Sequence, residues 1–317
     1  MTGQTAGAAP QDDRDAIPFW GRAATARAVP FGPLVDALAV AAVQRESGQI
    51  RSPQRIGVPL AGEGVSLSMP ASAADIAIHK LVNVQPANAA RGLPSLHGIV
   101  TVSDAGTGRP LCLLDGPELT GRRTAGVSLL AIRTFLAREP GQVLLIGTGV
   151  QAAHHLGALH ALHPRCRVLF RGTDRASEAA FCEAHRAVHP ALAPCPAAIP
   201  REVEVVIALT TSKQVVYDEP ASVDRLVIGV GAFTPEMAEI GARTLAGSTV
   251  YADDPAAAEH EAGDLIRARL EWADVRSLAF ALQNHKQGSS PVVLKSVGTA
   301  AWDLAAARVA ARSLHGA

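Results

Sequence analysis

Aromatic residues are scarce in this 317-residue chain: seven Phe, three Trp and two Tyr, 4% in all. With 48% of its residues hydrophobic and much of that alanine, the composition is that of a soluble globular protein. Neither sign of charge prevails. The 29 basic residues balance 29 acidic ones, so no net field draws nucleic acid or an anionic membrane surface, and neither is expected as a partner. No apolar run approaches the roughly 20 residues of a membrane span. The opening stretch MTGQTAGAAPQDDRDAIPF is acidic and lacks the apolar core of a secretory signal, so a cytoplasmic protein is expected. Cysteine is sparse too: Cys112, Cys166, Cys182 and Cys195 form no C-x-x-C pair, which argues against disulfides and thiolate metal sites. His154 and His155 project about 100° apart on a helix, and with His160 and His163 they make no convincing ligand set, so no metal is expected.

What is present is a glycine turn. In VLLIGTGVQAAHHLGALHAL, residues 143–162, four apolar residues bounded by Gly141 and Gly147 read as a strand buried on both faces of a parallel sheet. From Val150 the period changes to that of a helix, with Val150, His154 or Leu156, Leu159 and Leu162 on its apolar face. Gly147, Thr148 and Gly149 therefore sit where strand becomes helix. There the backbone N–H groups point outward and no glycine side chain blocks a phosphate. The spacing is G-x-G-x-x-A, a dinucleotide-binding pattern, in which Gly147, Thr148, Gly149, Val150 and Gln151 would cradle a pyrophosphate.

The next strand, Arg167 to Phe170, lies about 20 residues on, where NAD enzymes carry an acid for the ribose 2′-hydroxyl. Here Phe170 is followed by Arg171, Gly172 and Thr173, and the first acid is Asp174. An arginine fork and a hydroxyl in that place suit a 2′-phosphate, so NADP(H) is the expected cofactor, held by Arg171 and Thr173.

The length allows two domains. Residues 1–14 read as a flexible tail. A helix is expected over 31–46, then strands broken by Pro and Gly from Ile50 to Asp115, including a hairpin turned by DAGTGRP, then a helix from Thr120. Strands at 143–146, 167–170, 203–210, 225–231 and 248–252 alternate with helical stretches. The fold class is thus α/β: a Rossmann-type doubly wound parallel sheet over 126–284, plus a mixed α+β domain over 15–125, completed by 285–317.

Ordered motifs tie the chain to a known family. K-x-V-N at Lys80 to Asn83, G-L-P at Gly92 to Pro94, D-x-x-T-G-x-P from Asp104 to Pro110, LLDG at 113–116, LTGRRTAG, the GTGVQA turn, GAFTP at 231–235, AGDL at 262–265 and KSVGTAAWDLAAA near the end occur in order. The chain resembles the ornithine cyclodeaminase/μ-crystallin family from about residue 15 onward. The resemblance implies a homodimer joined through the mixed domain, with a small imino acid or amino acid held between the domains beside a nicotinamide cofactor.

By the same matches, Lys80 and Arg123 would bind the substrate carboxylate, with Arg55 as a third cation. Arg122, adjacent to Arg123, would project elsewhere as a solvated charge. The stretch matching GAFTP carries an aspartate base in ornithine cyclodeaminases; Phe233 occupies that position here and takes up no proton. An apolar wall suits the methylene face of a cyclic imine. The resemblance then points to the reductase branch, with reduction of Δ1-piperideine-2-carboxylate and Δ1-pyrroline-2-carboxylate to L-pipecolate and L-proline. Lys80 and Asp303 are both candidates for the proton donor, and Asp303 has the alternative of capping or bracing the last helix. An amino acid dehydrogenase of the alanine type and a μ-crystallin-like NADPH-binding protein are the competing readings.

Overall fold

The computed structural model describes residues 16–314; the expected tail over 1–14 lies outside them. Six strands form the first sheet: β1 (Phe19–Trp20), β2 (Ile56–Pro59), β3 (Val65–Ser72), β4 (Ile76–Val84), β5 (Leu96–Asp104) and β6 (Pro110–Asp115). Their order is β1-β6-β5-β4-β3-β2, antiparallel except that β1 runs parallel to β6. Asp104 and Arg109 close the β5–β6 hairpin, and the Asp104 carboxylate accepts from the Thr107 N–H and hydroxyl. Alternation along β4 turns Ile78, Lys80 and Val82 inward and His79 and Leu81 outward.

The helices between the sheets are α1 (Arg22–Ala28), α2 (Phe31–Glu46), α3 (Gly116–Phe135) and α4 (Val150–Leu162). Helix α3 starts four residues before the expected Thr120, because Asp115 caps it by accepting from the Glu118 N–H at 2.8 Å and Pro117 fills its first turn. It packs against both α2 and α4 and is buried along most of its length, so one continuous core reaches from Val100 and Leu114 through Leu130 to Val143 and Phe170.

The second sheet is all parallel: β7 (Gln142–Ile146), β8 (Arg167–Arg171), β9 (Leu192–Pro194), β10 (Val205–Ala208), β11 (Leu226–Gly229), β12 (Thr249–Ala252), β13 (Arg276–Ser277) and β14 (Val292–Lys295). The strands β7, β10, β11 and β14 are buried throughout, the signature of a sheet covered on both faces. The order is β13-β12-β14-β11-β10-β7-β8-β9. The remaining helices are α5 (Arg175–His185), α6 (Ala242–Ala246), α7 (Pro255–Glu261), α8 (Gly263–Ala268), α9 (Leu278–Asn284) and α10 (Ala300–Leu314).

Residues 285–317 do not return to the first domain as a block. Strand β14 inserts between β11 and β12 of the second sheet, and only then does α10 cross to pack on β3, β4 and α2. The reason is visible in the sequence: Val292 to Leu294 is fully apolar and pairs on both sides, whereas α10 offers Trp302, Leu304 and Val309 to the other core. Among the described residues, no single helix is long and apolar enough to cross a membrane.

Candidate active site

A cavity of about 200 Å³ lies between the two sheets, at the C-terminal ends of β7, β10 and β11. Its lining includes Arg55, Lys80, Arg123, Gln151 and Phe233 from the expected site, with Leu67, Met69, Val82, Val84 and Leu96 as an apolar wall from the first sheet. None of the lining residues is an acid.

Three expected residues meet at its floor. Lys80 Nζ stands 2.6 Å from Asp303 Oδ2, and Arg123 Nε donates to Asp303 Oδ1 at 3.2 Å. All three are buried, Asp303 completely. Asp303 is therefore a strut joining α10 to β4 and α3. Burial pulls the Lys80 ammonium down to about 8; the Asp303 carboxylate opposes the shift, and the cations Arg123 and Arg55 reinforce it.

Arg55 is held differently. Its Nη2 donates to Glu261 Oε2 at 2.8 Å and to the carbonyls of Val297 and Gly298 at 3.0 and 2.9 Å, so part of its fork is committed to the protein. Burial raises the Glu261 carboxyl, and Arg55 opposes that rise. Lys80, Arg123 and Arg55 line the cavity, whereas the carboxylates that answer them, Asp303, Glu261 and Asp253, lie behind the lining. Buried Asp253 fastens the loop behind them: it accepts from Ser296 Oγ, Trp302 Nε1 and the N–H groups of Val297 and Gly298 at 2.8–3.1 Å. Gly298 has φ +78°, and a Cβ there would stand 2.8 Å from Arg123 Nη1. Only glycine lets the loop lie against the guanidinium.

Arg122 is not a solvated charge. It donates to the Val29 carbonyl at 2.7 Å, lies 4.0 Å over the Phe31 ring and pairs with Glu118, so it locks α3 to the start of α2.

The glycine turn lies at the other side of the cavity. Gly147 has φ +118°, and a Cβ there would come within 2.9 Å of the Leu209 carbonyl. Gly149 is the N-cap of α4, has open space above it, and no side chain caps the helix. The first-turn N–H groups are thus free to meet a phosphate, and a dinucleotide fits the turn. Val150 departs from the expectation that it belongs to the helix's apolar face: it is 70% exposed, and Ala152 and His155 join the expected Leu156 and Leu159 on that face. His155 is fully buried between Ser128 Oγ and the Gln151 carbonyl, and burial lowers it to about 4.

At the end of β8, Arg171 Nη2 donates to the carbonyls of Pro196 and Ala197 at 2.8 and 3.1 Å, which fixes the guanidinium beside the turn. Asp174 caps α5: Oδ1 accepts from the Ser177 N–H and Oδ2 from the Thr173 hydroxyl. Both oxygens of this nearest acid are engaged. The same bond puts a carboxylate beside Thr173, which leaves Arg171 as the stronger of the two expected 2′-phosphate partners.

A glycine turn at a helix N-terminus and a buried cationic cavity thus face one another in a two-sheet α/β molecule, the architecture of the Rossmann-type class. Within it, residues 27–316 match the model of the ornithine cyclodeaminase/mu-crystallin family, and the chain belongs to that family. It is 51% identical over 299 residues to a Delta(1)-pyrroline-2-carboxylate/Delta(1)-piperideine-2-carboxylate reductase of Azospirillum brasilense, covering 94% of this chain and 96% of that one. The fold is similar to that of Thermococcus litoralis Delta(1)-pyrroline-2-carboxylate reductase in complex with NADH and L-proline: TM-score 0.83, 22% identity, covering 95% and 98% of the chains. An archaeal alanine dehydrogenase dimer with bound NAD is equally close in fold, at TM-score 0.83 and 20% identity, covering 95% of both chains or more.

Proposed function

We propose that this chain is an oxidoreductase that reduces the cyclic ketimines Δ1-piperideine-2-carboxylate and Δ1-pyrroline-2-carboxylate to L-pipecolate and L-proline, with NADPH as cofactor. The observation that carries the reading is the floor of the cavity: two cations, Lys80 and Arg123, on one buried carboxylate, facing an apolar wall of Leu67, Met69, Val82, Val84 and Leu96 from the first sheet. The 51% identical relative carries this reduction in its name, which supports a C=N reductase.

The substrate carboxylate binds to Lys80 and Arg123, with Arg55 closing the rim; a planar guanidinium holds both oxygens. Leu67, Met69, Val82 and Phe233 face the ring methylenes and exclude water. The backbone N–H groups from Thr148 to Gln151 hold the pyrophosphate, with Gly147, whose own N–H donates to the Arg171 carbonyl, leaving room for it, while Arg171, helped by Thr173, holds the 2′-phosphate. When bound, the reduced nicotinamide supplies the hydride. Fixing the carboxylate positions C2 for it, an effect that contributes several kcal/mol at about this level of constraint. Lys80, lowered to about 8, is the better placed of the two proton-donor candidates, since Asp303 stands between two cations. Phe233 leaves the site without the base a cyclodeaminase uses.

The reading includes a homodimer. The outer face of the first sheet carries Ile56 and Val58 on β2, Leu81 on β4, Ile99 on β5 and Phe19 on β1, all more than a third exposed; a second copy laid on this face would cover them. The four cysteines are free and buried, in keeping with a reducing cytoplasm.

The test is oxidation of NADPH, and in parallel NADH, with each imine and with 2-oxo acids plus ammonia. Turnover of the imines without ammonia supports the reading. A strict requirement for ammonia and an open-chain oxo acid would overturn it in favour of an amino acid dehydrogenase.

A further inference from the structure

Two polar atoms in the cavity wall lack a partner among the described residues. Thr120 Oγ1 and Gln151 Oε1 are both shielded from solvent and make no hydrogen bond. Thr120 lies on α3 one turn before Arg123, so the two share a face of that helix. Gln151 lies in the first turn of α4, on the cofactor side. Each buried orphan costs about 1–3 kcal/mol, so two in one cavity imply a ligand that meets them.

The substrate class proposed above has two polar parts, a carboxylate and a ring nitrogen. The carboxylate is accounted for by Lys80 and Arg123. The first-sheet side chains opposite are apolar. The nitrogen is the part of the ligand without a partner, and Thr120 and Gln151 are the parts of the wall without one.

We propose, resting on the reductase reading, that Gln151 Oε1 and Thr120 Oγ1 bind the ring nitrogen. The protonated imine donates its N–H to Gln151 Oε1, which selects the cationic C=N–H form, the better hydride acceptor. As C2 accepts a hydride, the C=N π pair withdraws onto nitrogen, and the cation becomes a neutral secondary amine. The Thr120 hydroxyl donates to that new lone pair. No further proton is required for this step, and the Thr120 bond forms only as the π bond breaks, so it favours the transition state over the bound substrate. Lys80 is then left to the carboxylate, and to re-protonating the amine before release.

The test uses the full chain with Thr120→Val, Thr120→Ser and Gln151→Leu, recording kcat, KM, the pH profile and NADPH affinity by fluorescence. Thr120→Val should lower kcat on Δ1-piperideine-2-carboxylate by about 10- to 100-fold with KM little changed, and Thr120→Ser should restore it. Gln151→Leu should move the alkaline limb of kcat to lower pH, because the bound imine is no longer favoured in its protonated form. NADPH affinity should stay within about twofold in all three. Parent-like kcat and pH profiles in Thr120→Val and Gln151→Leu would overturn the assignment. So would losses matched by weaker NADPH binding, which would make the two atoms cofactor ligands. A parent enzyme inactive on both imines overturns the reductase reading itself before any variant is compared, and this inference with it.

Discussion

The molecule holds two buried lysine–aspartate pairs that look alike and are built for different ends. Lys80–Asp303 at 2.6 Å lies on the cavity floor; Lys295–Asp264 at 2.7 Å lies under the second sheet, and all four side chains are at most 2% exposed. The second pair is closed by protein. Asp264 Oδ1 accepts from the Glu239 and Ile240 N–H groups, and Glu239 accepts from Thr210, Gly231 and Ala232, so its negative excess is answered by backbone donors. Burial raises the Glu239 carboxyl, and Lys295 opposes the rise. The first pair has a surplus of cations and an open side. Identical residue types thus make a sealed cross-link in one place and border an open cavity in the other. What separates them is the charge balance and whether backbone completes the shell.

The comparison breaks most sharply in stability. Asp264→Asn strands Lys295 in the interior and should cost about 3–5 kcal/mol by denaturant unfolding, with turnover per folded molecule little changed. A comparable structural loss should come from acid alone. His155 is held neutral in the fold at about 4, below its ordinary 6.5, so the unfolded chain binds the proton more readily. Its contribution is complete above pH 6.5 and disappears as the pH falls toward 4, a change on the order of 3 kcal/mol that His155→Gln should abolish.

On the cavity side, Arg123→Met should lower kcat/KM for the imines by about 100-fold, roughly 2.7 kcal/mol of transition-state stabilisation. L-proline affinity should fall about tenfold per pH unit above 8 as Lys80 loses its proton, and this limb should vanish in Lys80→Arg. The smallest effect concerns the cofactor. Arg171→Ala should lower the preference for NADPH over NADH by about tenfold, with imine KM unchanged.

Features carried by local pattern were legible in the sequence. The apolar run, the glycines and the change of period placed β7, the turn and α4, and the missing acid after β8 singled out Arg171. Helix α2 follows its expected bounds of 31–46. Other features depend on residues far apart along the chain. Glu261 reaches Arg55 across 206 positions, and Arg123 reaches Asp303 across 180. No spacing rule marks Glu261, Asp253 or Glu239 as partners, and only the neighbouring motifs KSVGTAAWD and AGDL offered a signal for where they would act. The Thr120 and Gln151 side chains are distinguished by what they fail to contact, which is a property of the folded cavity and has no trace in composition or period.

The insertion of β14 between β11 and β12 sets an order on how the protein can be made. Until residues 292–295 leave the ribosome, β11 and β12 have no common neighbour, and the nascent second sheet carries two open inner edges. Residues 292–295 must be synthesised before the second sheet can close. A polypeptide cut short before Pro291 would lack both the strand that joins that sheet and Asp303 of the cavity floor, so incomplete copies would be unable to bind substrate and prone to edge-to-edge association.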